Sequence, residues 1–221
     1  MKIIIPAKRH SSRVPDKNWR PFYESRSLTE IKIGQLLSSF PASDIYLSCD
    51  DEAKAEFANK MGIQFLLRPS AFAADETPWP DALQGIIEAT PFDNDTDILW
   101  VEVINPLFDD YAGMASTWNA AKKDGFDSLV LAAPFNKFLL TPEGRPYNFL
   151  AGKWHVASQG LEPLFVWDSA CIMKKADMLY FSYPIGRKPF LYSTGSNCID
   201  IDTINEFEIA QLLYTQKFTQ K

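Results

Sequence analysis

A basic loop follows the first apolar segment of the chain and contains residue types that hold phosphates. Residues 3 to 7 (IIIPA) are apolar, and the loop after them carries Lys8 and Lys17, which can neutralise phosphate oxygens. Small and hydroxyl residues, here Ala7 and Ser11, leave backbone N–H groups accessible to an anion. A basic loop by itself is more often a solvated surface, and the Walker pattern GxxxxGK followed by Ser or Thr is absent. Both interpretations stay open at this stage.

Two aspartates near the end of the chain have the spacing of a cation site. Asp200 and Asp202 alternate with isoleucines in residues 199 to 203 (IDIDT). In an extended segment both carboxylates lie on one face, where they can share a hard cation such as Mg²⁺. Alternatively, Asp202 or Thr203 caps the helix that follows, and the two roles are compatible.

An arginine after an apolar run forms the third candidate site. Arg68 is followed by residues 75 to 80 (DETPWP), which lead into a predicted helix. A strand-end arginine can hydrogen-bond a base carbonyl or ring nitrogen. The alternative is a surface ion pair with Asp75 or Glu76.

Short β-branched runs alternate with longer amphipathic segments along the chain. This pattern predicts an α/β fold with a mostly parallel sheet covered by helices, in one domain over residues 1 to 221. Residues 135 to 160 are rich in Gly, Pro and aromatic residues, which indicates an insertion that projects from the sheet. Strands are expected at 3–7, 45–49, 65–68, 98–104, 128–134, 163–173 and 188–192, and helices at 27–39, 52–61, 81–89, 110–123 and 203–215.

Composition excludes several classes of partner. The net charge of −6 argues against nucleic-acid binding, whereas seven basic and three acidic residues among the first 30 favour a small anion. No apolar run reaches the roughly 20 residues of a membrane span, and no leader is expected. The cysteines at 49, 171 and 198 form no metal or disulfide pattern, so a cytoplasmic location is expected.

Four segments in order resemble the cytidylyltransferase family that makes CMP-sialic acid, CMP-pseudaminic acid and related CMP-activated nonulosonic acids. IIIPAKRHSSRVPDKNWRPF is similar to the family's opening IIPARGGSKGIPxKNIRP, and YLSCDDEAKAEFANKMG is similar to VSTDDEEIAEIAKKYG. LLRPSAFAADET resembles RPAELAxDxT, and SNCIDIDTINEFEIAQLL resembles SIDIDTELDFELAE. The resemblance implies a three-layer, Rossmann-like nucleotide-diphospho-sugar transferase fold and CTP as the donor.

The resemblance also implies roles for nucleotide-binding residues. Lys8 and Lys17 match residues that contact the triphosphate, and Asn18 matches one beside the ribose. Arg68 matches the arginine that reads cytosine, while Thr77 lies in the segment that closes around the base.

The family match further implies the chemistry and the acceptor. Asp200 and Asp202 match aspartates that hold Mg²⁺ near the α-phosphate, so Lys8, Lys17 and Asp200 are the expected catalytic residues, with pyrophosphate as the leaving group. The implied acceptor is an acidic sugar, and the 135–160 insertion is expected to form a homodimer contact that completes the partner's sugar site. The expected substrate contacts are Lys137, Arg145, Asp168, Arg187 and Lys188.

Several positions depart from the family pattern. Lys8 replaces an arginine, Arg9 and His10 replace two loop glycines, and Glu102 replaces a glutamine. Residues 168 to 172 (DSACI) replace the family's NGAIY at the sugar site. These changes predict an altered acceptor pocket or altered activity.

Two alternatives to an acidic-sugar transferase remain. The first is a nucleotide-binding homologue that has lost catalysis. The second is a CTP-dependent transferase for a non-sugar acceptor such as a phosphonate, for which Arg9, Arg13 and Arg145 offer anion contacts.

Overall fold

The computed structural model describes residues 1–193 and 199–219. The helices are α1 (Leu28–Leu37), α2 (Lys54–Lys60), α3 (Trp79–Glu88), α4 (Tyr111–Ala121), α5 (Lys175–Phe181) and α6 (Ile204–Thr219). The strands are β1 (Lys2–Pro6), β2 (Pro21–Tyr23), β3 (Arg26–Ser27), β4 (Ile45–Cys49), β5 (Gln64–Leu67), β6 (Asp97–Val101), β7 (Ser128–Phe135), β8 (Leu164–Lys174) and β9 (Pro189–Ser193).

Seven strands form one mostly parallel sheet in the order β5-β4-β1-β6-β8-β7-β9. Only β8 runs against its neighbours, pairing antiparallel with β6 and β7. Its early residues therefore meet the end of β6, where Val101 pairs with Ala170. The antiparallel strand thus brings the start of β8 to the edge at which β1, β4 and β6 end.

Helices cover both faces of the sheet, which gives three layers. The continuous apolar run of β1 is fully buried because consecutive side chains point to opposite faces. Ile3 and Ile5 pack in the cluster that holds residues of α1, α4 and α6. Ile4 packs on the other face with Ile86 of α3 and Met178 of α5. The predicted α/β class is confirmed, and the sheet and its helices have the Rossmann-like layering that was expected.

The expected strands and helices are present, and three further elements appear. The hairpin of β2 and β3 and the short helix α5 lie in segments for which the sequence pattern predicted no element. The strand expected over 98–104 ends at Val101. Residues 136 to 163 contain one isolated bridge between Leu140 and Pro146 and two short 3₁₀ turns.

Two of the three cysteines lie in the described residues, and both are buried thiols without a disulfide. Cys198 lies outside the described residues. None of the helices in the described ranges combines the length and apolar character of a membrane span.

Candidate active site

A cleft of about 300 Å³ opens where β1, β4 and β6 end. Ligands of open α/β sheets bind at the carboxyl ends of parallel strands, so this is the expected place for a site. We call it the first cleft. Its lining includes Lys8, Ser11, Ser12, Arg13, Lys17, Asn18, Arg68, Asp75, Thr77, Trp79 and Glu102.

The loop after β1 is fixed by hydrogen bonds to its neighbours. The Arg9 N–H donates to Asp50 Oδ1 at 2.8 Å, and the Asn18 side-chain amide donates to the Lys8 carbonyl at 3.0 Å. Ala7 is fully buried, and its N–H donates to the Ser48 carbonyl at 3.0 Å. The N–H of Ala7 thus extends the pairing of β1 with β4, and its expected contact with the nucleotide stays a prediction.

The two bulky residues that replace glycines do not fill the first cleft. Arg9 is exposed and its Nε lies 3.6 Å from Asp51 Oδ2, while His10 Nδ1 lies 3.3 Å from Asp16 Oδ1. Neither residue lines the first cleft. The substitutions therefore leave its volume open, since acids outside the cleft hold both side chains.

Lys8 joins the two sides of the first cleft. Its ammonium pairs with the Asp75 carboxylate, and hydrogen bonds from Lys8 and Ser12 hold the pKa of Asp75 below its usual value. Asp75 thus pairs with Lys8 rather than with Arg68. Both partners are partly exposed, so an incoming anion can replace Asp75 at little cost.

Lys17 connects the loop to the IDIDT segment. Its side chain is 8% exposed, and the ammonium donates to the Ile201 carbonyl and lies 3.5 Å from Asp202 Oδ1. Arg13 reaches the other oxygen of Asp202 at 2.5 Å. These contacts place two positive charges of the loop directly beside the predicted metal-binding aspartates.

The aspartates and Glu102 form a region of negative charge beside Lys17. Burial and the charge of Asp202 raise the pKa of Asp200. Burial also raises the pKa of Glu102, and Asp200 and Asp202 contribute to this increase. The helix is capped by Thr203, whose hydroxyl accepts from the Glu206 N–H while Glu206 accepts from the Thr203 N–H. Asp202 is therefore not the cap, and its carboxylate faces the loop.

The aspartate pair fits a Mg²⁺ ion that takes few ligands from the protein. Magnesium usually keeps several waters and binds one or two carboxylates together with substrate phosphates. The anionic form of Asp200 is disfavoured by partial burial and by the charge of Asp202, so a cation would be favoured there. Within residues 1–193 and 199–219, no group of three or more metal-ligating side chains is arranged to hold an ion. The residues suit an ion that arrives with a nucleotide.

Arg68 is a buried cation with unused hydrogen-bond donors. Its side chain is 6% exposed, and its Nε and one terminal nitrogen have no hydrogen-bond partner. The nearest carboxylate oxygen, on Asp50, is 3.8 Å away. Burial lowers the pKa of the guanidinium, with Asp50 opposing the change. A buried charge with unsatisfied donors is costly. A ligand that accepts hydrogen bonds from Arg68 would therefore be favoured in the first cleft.

Thr77 lies on the same side of the first cleft as Asp75. Its hydroxyl donates to the Ala71 carbonyl at 2.5 Å, which closes the turn before α3. The structure thus gives Thr77 a role in shaping a segment that lines the first cleft together with Arg68.

A second cleft of about 360 Å³ adjoins the first. Trp79, Glu102 and Ile104 line both clefts. The rest of the second cleft comes from α3, the start of β8, the segment after α5 and the IDIDT segment. These additional residues are Pro80, Trp167, Asp168, Ser169, Tyr183 and Asp200.

A buried network behind the second cleft holds Asp168. The Asn105 amide donates to Asp168 Oδ2 at 2.7 Å, and Lys32 donates to the Asn105 carbonyl at 2.7 Å. Lys32 also donates to the Tyr111 hydroxyl at 2.5 Å. Burial lowers the pKa of Lys32 to about 7, although the charge of Asp168 raises it. Sequence reasoning missed Lys32, whose place in an amphipathic helix resembles that of any surface lysine.

None of the four basic residues expected to contact the substrate lines either cleft. Lys137 and Arg145 are exposed in the 135–160 segment. The Arg187 and Lys188 N–H groups donate to Asp127 beside the start of β7, at the sheet edge opposite the clefts. Their contact with the acceptor stays a prediction.

A comparison with known protein families decides to which family the chain belongs. A family model described as cytidylyltransferase matches residues 2–131, which include the loop, Arg68 and the shared wall of the two clefts. The chain belongs to this cytidylyltransferase family. Sequence comparison with curated proteins gives no match.

Solved structures with the same fold include other nucleotidyltransferases. CMP:2-keto-3-deoxy-manno-octonic acid synthetase complexed with CTP is 11% identical, with a TM-score of 0.68 over 98% of this chain and 99% of that one. A 4-diphosphocytidyl-2C-methyl-D-erythritol synthase from Anaerococcus prevotii is 10% identical, with a TM-score of 0.62 and coverage of 97% and 96%. A Bacillus anthracis protein assigned as a glucose-1-phosphate thymidylyltransferase is 13% identical, with a TM-score of 0.66 and coverage of 96% and 94%. At these identities the similarity shows the fold alone.

Proposed function

We propose that this cytidylyltransferase transfers CMP from CTP to an acidic sugar and releases pyrophosphate in a Mg²⁺-dependent reaction. The observation that carries the proposal is the first cleft, where a buried arginine with unused donors faces a basic loop. The family match supports CTP as the nucleotide. The sugar and the metal come from the sequence resemblance.

The first cleft divides into regions suited to different parts of CTP. Arg68 would donate to the cytosine carbonyl and ring nitrogen, which accept hydrogen bonds in one plane. Lys8, Lys17 and Arg13 would neutralise the triphosphate after Lys8 leaves Asp75. Since the cations lie on the loop side and Arg68 follows β5, the nucleotide would extend across the ends of β4 and β1.

The second cleft is proposed to hold the acceptor. An acceptor hydroxyl placed near Glu102 would attack the α-phosphorus in line, forming a new P–O bond as the bond to pyrophosphate breaks. A Mg²⁺ ion held by Asp200 and Asp202 would lower the pKa of the hydroxyl and neutralise phosphate charge. Lys17 would stabilise the charge that develops on the phosphate oxygens, because its own position is fixed by Ile201 and Asp202.

Basic contacts to an acidic sugar are proposed to come from a second copy of the chain. Lys137 and Arg145 are exposed on the segment that the resemblance links to a homodimer contact. The acceptor's carboxylate would then bind between the second cleft of one protomer and the insertion of its partner. The buried, unpaired thiols of Cys49 and Cys171 suit a reducing compartment such as the cytoplasm.

Pyrophosphate release from CTP with a panel of ulosonic acids and phosphonates tests the proposal. We expect release with CTP and an acidic sugar, and a loss of about 100-fold in kcat for Lys17→Met. Lys123→Met, which removes an exposed lysine outside the clefts, is the matched control. CTP binding without release would favour a homologue that has lost catalysis, and release with phosphonates alone would replace the sugar.

A further inference from the structure

Three aromatic side chains form one wall of the second cleft. The Trp79 ring centroid lies 5.7 Å from that of Trp167 and 5.2 Å from that of Tyr183, and the last two are 5.8 Å apart. All three residues line the cleft and remain partly exposed. We call this set the aromatic wall. It presents aromatic surface to whatever enters the cleft.

The charged side chains that line the second cleft are all acidic. They are Glu102, Asp168 and Asp200, and no lysine or arginine belongs to the lining that the described residues form. Asp168 is satisfied by the Asn105 amide and the Ser169 N–H. If Asp200 binds the metal of the proposed reaction, Glu102 is the carboxylate left without an ion pair or a strong hydrogen bond.

Glu102 lacks strong partners of its own. The indole N–H of Trp100 donates to it at 3.4 Å, and Glu102 forms no ion pair in the described chain, where Lys17 is the cation whose charge acts on it. A partly buried carboxylate without an ion pair is stabilised by a positively charged ligand.

The side chain of Ser169 is a second, independent observation that indicates a polar ligand in the second cleft. The residue is 5% exposed and lines the second cleft, and its hydroxyl has no hydrogen-bond partner among the described residues. Buried hydroxyl groups are normally satisfied. The cleft therefore combines an aromatic surface, a carboxylate without an ion pair and a hydroxyl without a hydrogen-bond partner in the described chain.

We propose that the acceptor of this enzyme carries an alkylammonium group that lies against the aromatic wall and pairs with Glu102. Aromatic faces attract cations through their quadrupole, and the attraction is stronger at sites removed from water. The charged groups of this chain that a purely anionic acceptor would meet in the second cleft are all carboxylates. The inference rests on the proposed function and specifies its acceptor as zwitterionic, with an acidic group and an amine.

The same ammonium chemistry occurs in two kinds of acceptor. One is a sugar acid with a free amine, and the other is the phosphate ester of an amino alcohol. Two matched pairs of probes distinguish them. The first pair is a nonulosonic acid with a free primary amine and its N-acetylated form, and the second is phosphocholine and its isostere with carbon in place of the quaternary nitrogen.

Isothermal titration of each probe into the full-length protein loaded with Mg²⁺ and a non-hydrolysable CTP analogue tests the inference. We expect the cationic member of at least one pair to bind about tenfold more tightly than its neutral partner. Equal or weaker binding of the cationic member in both pairs would overturn the inference, as would no binding at all. A titration with CTP alone separates failure of this inference from failure of the proposed function. CTP would still bind if only the inference fails, and it would not bind if the proposed function fails.

Two variants assign the preference to the residues named. Trp167→Leu and Glu102→Gln should each reduce the cationic preference about tenfold. CTP binding should persist in Trp167→Leu, because Trp167 does not line the first cleft. Tyr180→Leu, which removes an exposed aromatic residue of α5 that does not line the second cleft, is the matched control and should keep the preference. A cationic preference that survives both variants would place the ammonium elsewhere and overturn the assignment.

Discussion

Arg68 is the residue on which base recognition depends. Its guanidinium is buried with unused donors, and a lysine at this position would keep the charge but lose the planar arrangement of donors. We expect Arg68→Lys to weaken CTP binding by about 10- to 100-fold and to reduce discrimination between CTP and UTP. Isothermal titration measures both effects, with the exposed Arg26→Lys as the control. Unchanged selectivity would remove Arg68 from base recognition.

Lys32 is the residue whose ionisation should appear in the stability of the protein. Its pKa is lowered from an ordinary value of 10.5 to about 7 by burial, so between these values the unfolded chain binds more protons than the folded one. Stability should therefore rise with pH across this window, by about 2 kcal/mol between about pH 7 and pH 9, and level off below the folded pKa.

Urea unfolding of the wild type and Lys32→Met at both pH values isolates this contribution. The wild type should gain stability relative to the variant as the pH rises. The same pH dependence in both proteins would mean that the folded pKa of Lys32 is ordinary.

At the scale of residues, sequence patterns predicted the charged residues of the site more reliably than the residues that pair with them. Lys17, Asp202 and Arg68 were expected in a site, and the structure brings them to one edge of the sheet. Their partners come from distant parts of the chain, such as Asp75 for Lys8 and Asn105 for Asp168. Local periodicity contains no information on these long-range contacts.

The N-terminus of α6 is the element that positions the predicted metal-binding segment. Thr203 and Glu206 cap it reciprocally, immediately after Asp202. We expect Thr203→Ala to lower the free energy of unfolding by about 1 kcal/mol because one helix donor loses its acceptor. Urea unfolding measures this, and Ser116→Ala, at an exposed position within α4, should have little effect. Equal effects of the two changes would argue against the cap.

At the scale of elements, the fold was predictable where the apolar pattern was strong. The buried run of β1 was expected as a strand because three consecutive isoleucines suit a strand covered on both faces. The short helix α5 was missed, since seven residues provide less than two turns of periodicity. The strand expected through 104 ends at Val101 because the following residues turn to form the walls of the two clefts.

The exposed apolar surface of the 135–160 segment bears on the assembly of the whole molecule. Its side chains include Tyr147, Leu150 and Trp154, which are 71%, 66% and 62% exposed. Under the proposed homodimer these residues are buried against the partner. We expect the wild type to have twice the 25.1 kDa chain mass by light scattering and Trp154→Asp to approach the mass of one chain.

A matched control separates this interface from general surface effects. Tyr180→Asp alters an exposed aromatic residue on α5 and should leave the dimer intact. A monomeric wild type would contradict the homodimer, and a dimeric Trp154→Asp variant would place the interface elsewhere.

The central claim for the whole molecule is that the first cleft selects CTP. The most direct test is isothermal titration of the wild-type protein with CTP, UTP, ATP and GTP in the presence of Mg²⁺. We predict that CTP binds at least about tenfold more tightly than each of the others, because the donors of Arg68 match the acceptors of cytosine. Equal binding of the four nucleotides would contradict the assignment of CTP as the donor.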